Sequence, residues 1–425
     1  MVALALVRHR ARVADQRAGT VIVTPGGPGA SGVSFLSQFV AGPSTGRPGA
    51  SATLLDRFDL ISYDPRGVGL SDPLDCHTDA PTEPPAPTDP SPESAADVAK
   101  AVAAASASAR WCADRAGARA AHLGTVEGAW DLERISASVA NDRLVVLALS
   151  YGSELALVHH HYFPRPDVLY VFDAPVTPNA DPYVRRRAQA HGFEAAFDAF
   201  VRWCSSMACA AGPDPRATYL AAEALVDKTP LPGTATTPLS ANVLLSATLA
   251  AMYSERQWDA LSRGLAAAAN GSGTTLARLF EQQQPAVVGG GADNEADMLR
   301  VISCTDRATT PSADAIASLA DQLAADAALF GRFVAWQEAS CLEWTALDPL
   351  PVTRARRPIN AIVIGSTGDP ATPYAWALEL ATTLGAPLIT RQANTHTAYS
   401  FSPCVQSAVD AALLSRQLPD NLECD

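Results

Sequence analysis

The chain has 425 residues, 48% of them hydrophobic, and this length suits one large domain with an insertion, or two domains, around a substantial core. Its 31 lysines and arginines against 44 aspartates and glutamates give a net charge of -13, which argues against nucleic acid or an anionic membrane surface as a partner. Every apolar run is shorter than the ~20 residues that a transmembrane helix requires, so we expect no membrane span.

The first motif is a glycine-rich loop that follows a predicted strand. The strand TVIVT (20–24) runs directly into PGGPGASG. Glycines allow backbone N–H groups to face a developing oxyanion with no side chain in between, which makes Gly27 a candidate donor. Residues 27–32 also match G-x-G-x-x-G, but Pro28 occupies the turn, and Asp64, the acidic end of the next strand, comes too late for a dinucleotide site. We therefore expect no cofactor.

The region after this motif is predicted to be a surface loop followed by helices. Residues 79–94, DAPTEPPAPTDPSPES, contain too many prolines for a regular element. Residues 95–113 are rich in alanine and favour a helix. Thr125 is a candidate cap for the next helix, which contains DLERISASV.

The segment LVVLALSYGSEL (144–155) has the pattern of a nucleophile elbow, a tight turn between a strand and a helix. In this turn a serine adopts a strained conformation that exposes its hydroxyl group above the sheet, and small neighbours relieve the crowding. Ser150 is the candidate nucleophile, and Gly152 satisfies the demand for a small residue. Ala148 stands where the G-x-S-x-G pattern has its first glycine. The backbone N–H of Tyr151 would be a second oxyanion donor.

A candidate acid and a candidate base follow predicted strands near the carboxyl end. The apolar run INAIVIG (359–365) predicts a buried parallel strand, after which Asp369 lies where open α/β sheets carry functional groups. A second short strand, APLIT, precedes the loop that contains His396. Ser150, Asp369 and His396 thus follow the chain order of a Ser-Asp-His triad. Asp173, at the end of the strand VLYVFD, is a rival for the role of the acid.

The eight cysteines indicate disulfides rather than a metal site. Their number is even, no C-x-x-C occurs, and no pair of histidines has zinc spacing. The consecutive histidines at 159–161 would point in different directions on a helix and could not share one metal. Disulfides predict a secreted protein, yet MVALALVRHR is the reverse of an export signal, so we expect the signal segment to be absent from this sequence. Eight buried free thiols in a cytosolic protein are the alternative.

Together these motifs resemble the tripeptidyl aminopeptidase branch of the α/β-hydrolases, secreted serine exopeptidases related to proline iminopeptidases. The matching pieces are TPGGPGASG (24–32), FDLISYDPRGVGLSDPLDC (58–76), DLERI (131–135), LSYGSELA (149–156), GDPATP (368–373) and the tail from Cys404. The resemblance implies an α/β-hydrolase fold, with a mostly parallel sheet flanked by helices and a largely helical lid inserted after the sixth core strand. It also implies three parts: a first core part at 1–180, the lid at 181–351 and a second core part at 352–425.

The resemblance further implies the roles of individual residues. Ser150 would be the nucleophile, Asp369 the acid and His396 the base, with Gly27 and Tyr151 in the oxyanion hole. The cysteines would pair with their neighbours in order: Cys76 with Cys112, Cys204 with Cys209, Cys304 with Cys341 and Cys404 with Cys424.

An aminopeptidase must also bind an ammonium group, which a carboxylate in a partly dry pocket does by charge-assisted hydrogen bonding. The pattern between residues 181 and 351 is helical and rich in loops, and this predicted lid offers Glu255 in MYSERQW and Glu295 or Asp297 in ADNEADM. Each of these residues is also typical of an ordinary helix surface.

The expected activity is hydrolysis of a small peptide or acyl substrate through an acyl-enzyme, by an exopeptidase that releases short peptides from free amino termini. Two alternatives stay open at this point. One is an esterase or biosynthetic acyl hydrolase that uses the same triad on a non-peptide substrate. The other is a non-catalytic binding protein on the same fold.

Overall fold

The computed structural model describes residues 2–42, 48–76, 89–139, 143–177, 181–283, 294–351 and 358–425. Most of the proline-rich loop predicted at 79–94 therefore lies outside the described residues. Within the described part of the chain, no helix is both long enough and apolar enough to cross a membrane.

An eight-stranded sheet lies at the centre of the described structure. The strands are β1 (Leu6–His9), β2 (Gly19–Thr24), β3 (Phe58–Tyr63), β4 (Leu144–Leu149), β5 (Val168–Asp173), β6 (Asn360–Ser366), β7 (Leu388–Arg391) and β8 (Leu422–Cys424). Their spatial order is β1-β3-β2-β4-β5-β6-β7-β8. Only the pair of β1 with β3 is antiparallel among these strands. This topology confirms the predicted class, a mostly parallel sheet flanked by helices.

The central strands are buried on both faces because consecutive side chains point to opposite sides of the sheet. On β4, Val146 and Ala148 join one apolar cluster, whereas Val145 and Leu147 join a second cluster on the other face. Burial on both faces explains why TVIVT and LVVLAL are continuous apolar runs. The edge strands β1 and β8 have exposed positions, and the sequence pattern does not single them out.

The helices follow the strands in alternation near the amino end and form one long series in the middle of the chain. The α-helices of the described residues are α1 (Gly32–Ala41), α2 (Ala52–Arg57), α3 (Ala95–Ala116), α4 (Thr125–Val139), α5 (Gly152–Tyr162), α6 (Pro182–Met207), α7 (Pro215–Val226), α8 (Ala241–Met252), α9 (Trp258–Ala269), α10 (Thr274–Gln283), α11 (Glu295–Thr305), α12 (Ala313–Asp326), α13 (Gly331–Trp336), α14 (Tyr374–Leu384) and α15 (Pro403–Ser415). Short 3-10 helices span Ala14–Gln16, Gly117–His122, Glu255–Gln257 and Gln337–Cys341.

Helices α6 to α13 lie between β5 and β6 in the chain. They have an apolar cluster of their own, in which Phe197, Phe200 and Trp258 are buried. Five strands of the described chain precede this helical segment, one fewer than the six expected. The segment begins where Asp181 caps α6, because its carboxylate accepts the N–H groups of Tyr183 and Val184.

Four disulfides tie the loops and the tail to the core. They join Cys76 to Cys112, Cys204 to Cys209, Cys304 to Cys341 and Cys404 to Cys424. These are the pairs that the resemblance implies, and no cysteine is free. The last pair holds α15 against β8, which lies beside β7 at the edge of the sheet.

Candidate active site

Ser150 occupies a strained turn between β4 and α5. Its φ of 54° lies in the left-handed region, where residues other than glycine are uncommon. Two hydrogen bonds maintain the turn: the N–H of Ser150 donates to the carbonyl of Asp173 at 2.9 Å, and the N–H of Ser153 donates to the carbonyl of Ser150 at 2.9 Å. A Cβ at Gly152 would lie 2.4 Å from the carbonyl oxygen of Thr24, so the turn leaves no room for a side chain there. This is the geometry that the elbow pattern predicts.

Asp369 and His396 form a hydrogen-bonded pair at the carboxyl ends of β6 and β7. Nδ1 of His396 lies 3.0 Å and 2.9 Å from the two carboxylate oxygens of Asp369. The backbone N–H groups of Ala371 and Thr372 donate to the same carboxylate, each at 2.9 Å. Burial alone would lower the pKa of His396, but the Asp369 carboxylate outweighs it and raises that pKa above its ordinary value. The pair therefore orients the imidazole and makes it a stronger base.

Thr372 is a member of this site that the sequence analysis does not single out. Its Oγ1 lies 3.1 Å from Oδ2 of Asp369 and 3.4 Å from Nδ1 of His396. Tyr253 of the helical segment also contacts His396: the backbone N–H of His396 donates to the carbonyl of Tyr253 at 2.8 Å, and the two rings pack edge-on. The motif GDPATP contained the signal, since a hydroxyl group three residues after Asp369 can reach the same carboxylate.

Asp173, the rival acid, has a different position. Its carboxylate accepts the backbone N–H groups of Ala398 and Tyr399 at 2.9 to 3.1 Å. Burial raises the pKa of Asp173 to about 6. Asp173 therefore holds the loop that follows His396, and Asp369 is the residue whose carboxylate is bonded to the imidazole.

The glycine-rich loop lies against the turn that carries Ser150. A Cβ at Gly26 would lie 2.9 Å from Cβ of Ser150. Gly27 has a φ of 107°, which favours glycine, and it lines the same cavity as Ser150 and Tyr151. The structure thus brings both candidate oxyanion donors next to the candidate nucleophile.

Ser150 opens into a cavity of about 520 Å³, which is lined by loops and helices that follow the strands and by residues of the helical segment. Its wall carries many charged side chains: Glu154, Asp181, Arg185, Arg186, Asp306, Arg307 and Glu338. Thr372 and Tyr253, the neighbours of His396, also line it. A cavity of this size fits a small ligand that carries polar or charged groups.

The three carboxylates nominated from the sequence for amine binding are not among the described residues that line this cavity. Among the described residues of the cavity wall, neither Glu255 nor Glu295 occurs. Glu255 lies at the surface, where an oxygen of its carboxylate is 3.4 Å from the side-chain amide of Asn394. Asp297 is buried and accepts the backbone N–H of Cys76 at 2.8 Å. Sequence spacing could not reveal this, because the carboxylates on the wall come from segments far apart in the chain.

Asp306 is a carboxylate that lines the cavity. Its Oδ1 accepts the N–H of Thr125 at 2.7 Å, and its Oδ2 accepts the hydroxyl of Thr125 at 2.6 Å. That hydroxyl also lies 2.5 Å from the phenol oxygen of Tyr151. Burial raises the pKa of Asp306 to about 8. Thr125 therefore begins α4 bonded to Asp306 and does not cap the helix as predicted.

The histidine run has no metal-binding geometry. His159 is buried, with Nδ1 2.9 Å from the hydroxyl of Tyr170 and Nε2 2.9 Å from the carboxylate of Glu133. Within the described residues, no group of three or more His, Cys, Asp and Glu side chains could hold a metal ion.

Comparison with known proteins assigns the chain to a family. The family model described as "TAP-like protein" matches residues 326–424, the part that contains Asp369 and His396. The serine protease Hip1 of Mycobacterium tuberculosis is 30% identical over 438 residues, covering 98% of this chain and 82% of that protein. The chain belongs to the TAP-like family of α/β-hydrolases. This confirms the resemblance and makes the protein a hydrolase.

Other relatives of the chain carry different names. Carboxylesterase B of Mycobacterium tuberculosis is 33% identical, and the match covers 99% of this chain and 82% of that protein. The tripeptidyl aminopeptidase of Streptomyces lividans is 28% identical, with 94% of this chain and 75% of that protein covered. The names thus agree on hydrolysis and differ in the class of substrate.

Proposed function

We propose that this protein is a secreted serine hydrolase that releases short peptides from free amino termini through an acyl-enzyme on Ser150. The observation that carries the proposal is the combination of a strained serine turn after β4 with a hydrogen-bonded Asp369–His396 pair after β6 and β7 of the same sheet. Unrelated hydrolases use this combination because a base must take the serine proton and an acid must orient the base.

In the proposed reaction, Oγ of Ser150 attacks the carbonyl carbon of the scissile bond while Nε2 of His396 accepts its proton. Asp369 stabilises the imidazolium that forms through the Nδ1–H bond. The oxyanion of the tetrahedral intermediate accepts hydrogen bonds from the N–H groups of Gly27 and Tyr151. His396 then gives its proton to the leaving amine, the C–N bond breaks, and water hydrolyses the acyl-enzyme by the same steps.

The preference for short substrates rests on the helical segment, which we propose is a lid spanning residues 181–351. Side chains of α6 and α11, including Tyr183 and Leu299, line the cavity beside Ser150 and leave about 520 Å³. A long folded chain would not fit such a space. The four disulfides support a secreted protein, because such bonds persist in oxidising compartments.

For the ammonium group of the substrate we propose Asp306 in place of Glu255 and Glu295. Asp306 lines the cavity, and within the described residues its carboxylate is hydrogen-bonded to Thr125 with no arginine, lysine or histidine in an ion pair. A bound cation would favour its ionised form.

The test uses three substrates: a tripeptidyl p-nitroanilide with a free amino terminus, its N-acetylated twin and a p-nitrophenyl ester. We expect Ser150→Ala to lose on the order of a millionfold in kcat on every substrate that the wild type cleaves, as triad knockouts do in other enzymes. Ser138→Ala, which removes an exposed serine hydroxyl on α4, is the matched control and should keep full activity. Activity that survives in a clean Ser150→Ala preparation would contradict the proposal.

An esterase is the second candidate, because carboxylesterase B is 33% identical to this chain. Cleavage of the free peptide alone supports the aminopeptidase. Turnover of the ester without turnover of either peptide supports the esterase. In both cases Ser150 would be the nucleophile.

A further inference from the structure

Three charged side chains on the cavity wall form a connected group. Glu338 is only 2% exposed, and its Oε1 accepts Nε of Arg186 at 2.7 Å. Its Oε2 accepts Nη1 of Arg307, whose own side chain is also buried. One carboxylate thus holds two guanidinium groups, and these three side chains together carry one net positive charge beside the cavity that contains Ser150.

The other charged residues on the wall have partners of their own. Arg185 forms an ion pair with Glu154. Asp306 is hydrogen-bonded to Thr125. Asp181 caps the amino end of α6 and is exposed to water, where its charge is screened. The positive charge of the Arg–Glu–Arg group is therefore the part of the wall that would attract an anion most strongly.

Arg186 also has hydrogen-bonding capacity to spare. Nη1 of Arg186 donates to the side-chain oxygens of Gln189 and Gln337, whereas its Nη2 donates to none of the described residues. The guanidinium group of Arg307 lies 5.9 Å from the ring centre of Tyr183, which lines the cavity as well. Two guanidinium groups and a phenol hydroxyl make a set of donors that suits a carboxylate.

We propose that Arg186, Arg307 and Tyr183 bind a carboxylate of the substrate, and that the enzyme selects acidic over neutral substrates. The inference rests on the proposed function, because it concerns the substrate cleaved at Ser150. Glu338 is a positioning residue here, since it holds both guanidinium groups at the wall. The carboxylate would be either the carboxyl terminus of a short peptide or an acidic side chain, and both present the same planar acceptor.

A structural role alone would give a different result. If the group served only to connect α6 with the segments around Arg307 and Glu338, changing Arg186 would lower stability and leave the choice of substrate unchanged. The test therefore measures a ratio of two substrates with the same preparation, which a loss of folded protein does not alter.

The substrates are tetra-alanine with a free carboxyl terminus, tetra-alanine amide, and a tetra-alanine amide in which one internal alanine is replaced by glutamate. Initial rates of product release are followed by mass spectrometry. We expect the wild type to prefer at least one acidic peptide over the neutral amide in kcat/KM. Arg186→Met should reduce this preference roughly tenfold to a hundredfold, the loss of a charged hydrogen bond. The acidic peptide that is preferred identifies the source of the carboxylate.

Arg187→Met is the matched control, because Arg187 lies next in the chain, is bonded to Gln322 at the surface and does not line the cavity. It should leave the preference unchanged. If the wild type cleaves the amide with no preference for acidic peptides, this inference alone is overturned. The same holds if the preference survives in Arg186→Met. A wild type that cleaves none of the three peptides overturns the exopeptidase proposal as well.

A second measurement covers the case in which Arg186→Met does not fold. Butyrate and butyramide have nearly the same shape and differ in charge. We expect butyrate to inhibit cleavage of tetra-alanine amide by the wild type competitively and butyramide to have no effect at the same concentration. Equal effects of the two compounds would overturn the inference.

Discussion

Replacement of Gly152 by alanine tests how closely the elbow is packed. A Cβ at this position would lie 2.4 Å from the carbonyl oxygen of Thr24 and 2.9 Å from that of Pro25, whereas ordinary contact begins at 3.4 Å. The hydroxyl oxygen of Thr24 would also lie 2.7 Å away, but the shortest contact is with a backbone atom, so its relief requires a movement of ~1 Å between the elbow and β2. A misplacement of ~1 Å near reacting groups costs on the order of a hundredfold in rate. We therefore expect Gly152→Ala to lower kcat for the best substrate by about a hundredfold.

The variant should also be less stable, by about 1–3 kcal/mol, because overpacking of a dense interior forces neighbouring groups apart. Stability is measured by urea unfolding and activity by initial rates on the same preparation. Gly128→Ala is the control. Gly128 lies within helix α4, and a Cβ there would meet only the flexible end of the Leu155 side chain, at 3.2 Å. The control should keep full activity. Full activity and unchanged stability in Gly152→Ala would refute the reasoning.

Two further predictions follow from the charged groups of the site. Because Asp369 raises the pKa of His396 and the base must be neutral to act, kcat/KM of the wild type should fall as the pH drops below that pKa. Asp369→Asn should move this acid limb to lower pH and reduce kcat by about ten-thousandfold, and an unmoved limb in the pH profile would contradict the role of Asp369. Glu338→Gln should lower the free energy of unfolding by about 3–5 kcal/mol at neutral pH, since it leaves Arg186 and Arg307 without a counter-charge. Burial alone would raise the pKa of Glu338, but the two arginines hold that pKa below its ordinary value. The stabilisation of the fold by ionised Glu338 is therefore fully present above the unfolded pKa of ~4.3 and is lost as the pH falls through the folded pKa. Urea unfolding of both proteins against pH checks this, and equal stability at neutral pH would show that Glu338 does not hold the arginines.

The sequence predicted the central strands well and the edges of the sheet poorly. The runs TVIVT and INAIVIG fall within one residue of β2 and β6 because strands buried on both faces must be apolar throughout. β1 and β8 are short and half exposed, so their composition hardly differs from that of a loop. The prediction that Thr125 caps α4 was wrong because of a contact between residues far apart in the sequence. A threonine hydroxyl can accept a backbone N–H of its own helix, but the hydroxyl of Thr125 donates to the carboxylate of Asp306 instead.

What the sequence by itself determined is the class of the fold, the elbow at Ser150 and the order in which the candidate acid and base follow it. Strand composition and turn glycines are properties of a few consecutive residues, and the chain order is read directly from the sequence, so all three can be recognised without a structure. Only the tertiary structure decided that Asp369 rather than Asp173 is bonded to His396, and which charged side chains face Ser150. Arg186, Arg307 and Glu338 come from separate segments of the chain, and charges meet across such distances only when packing of the helices brings their segments together.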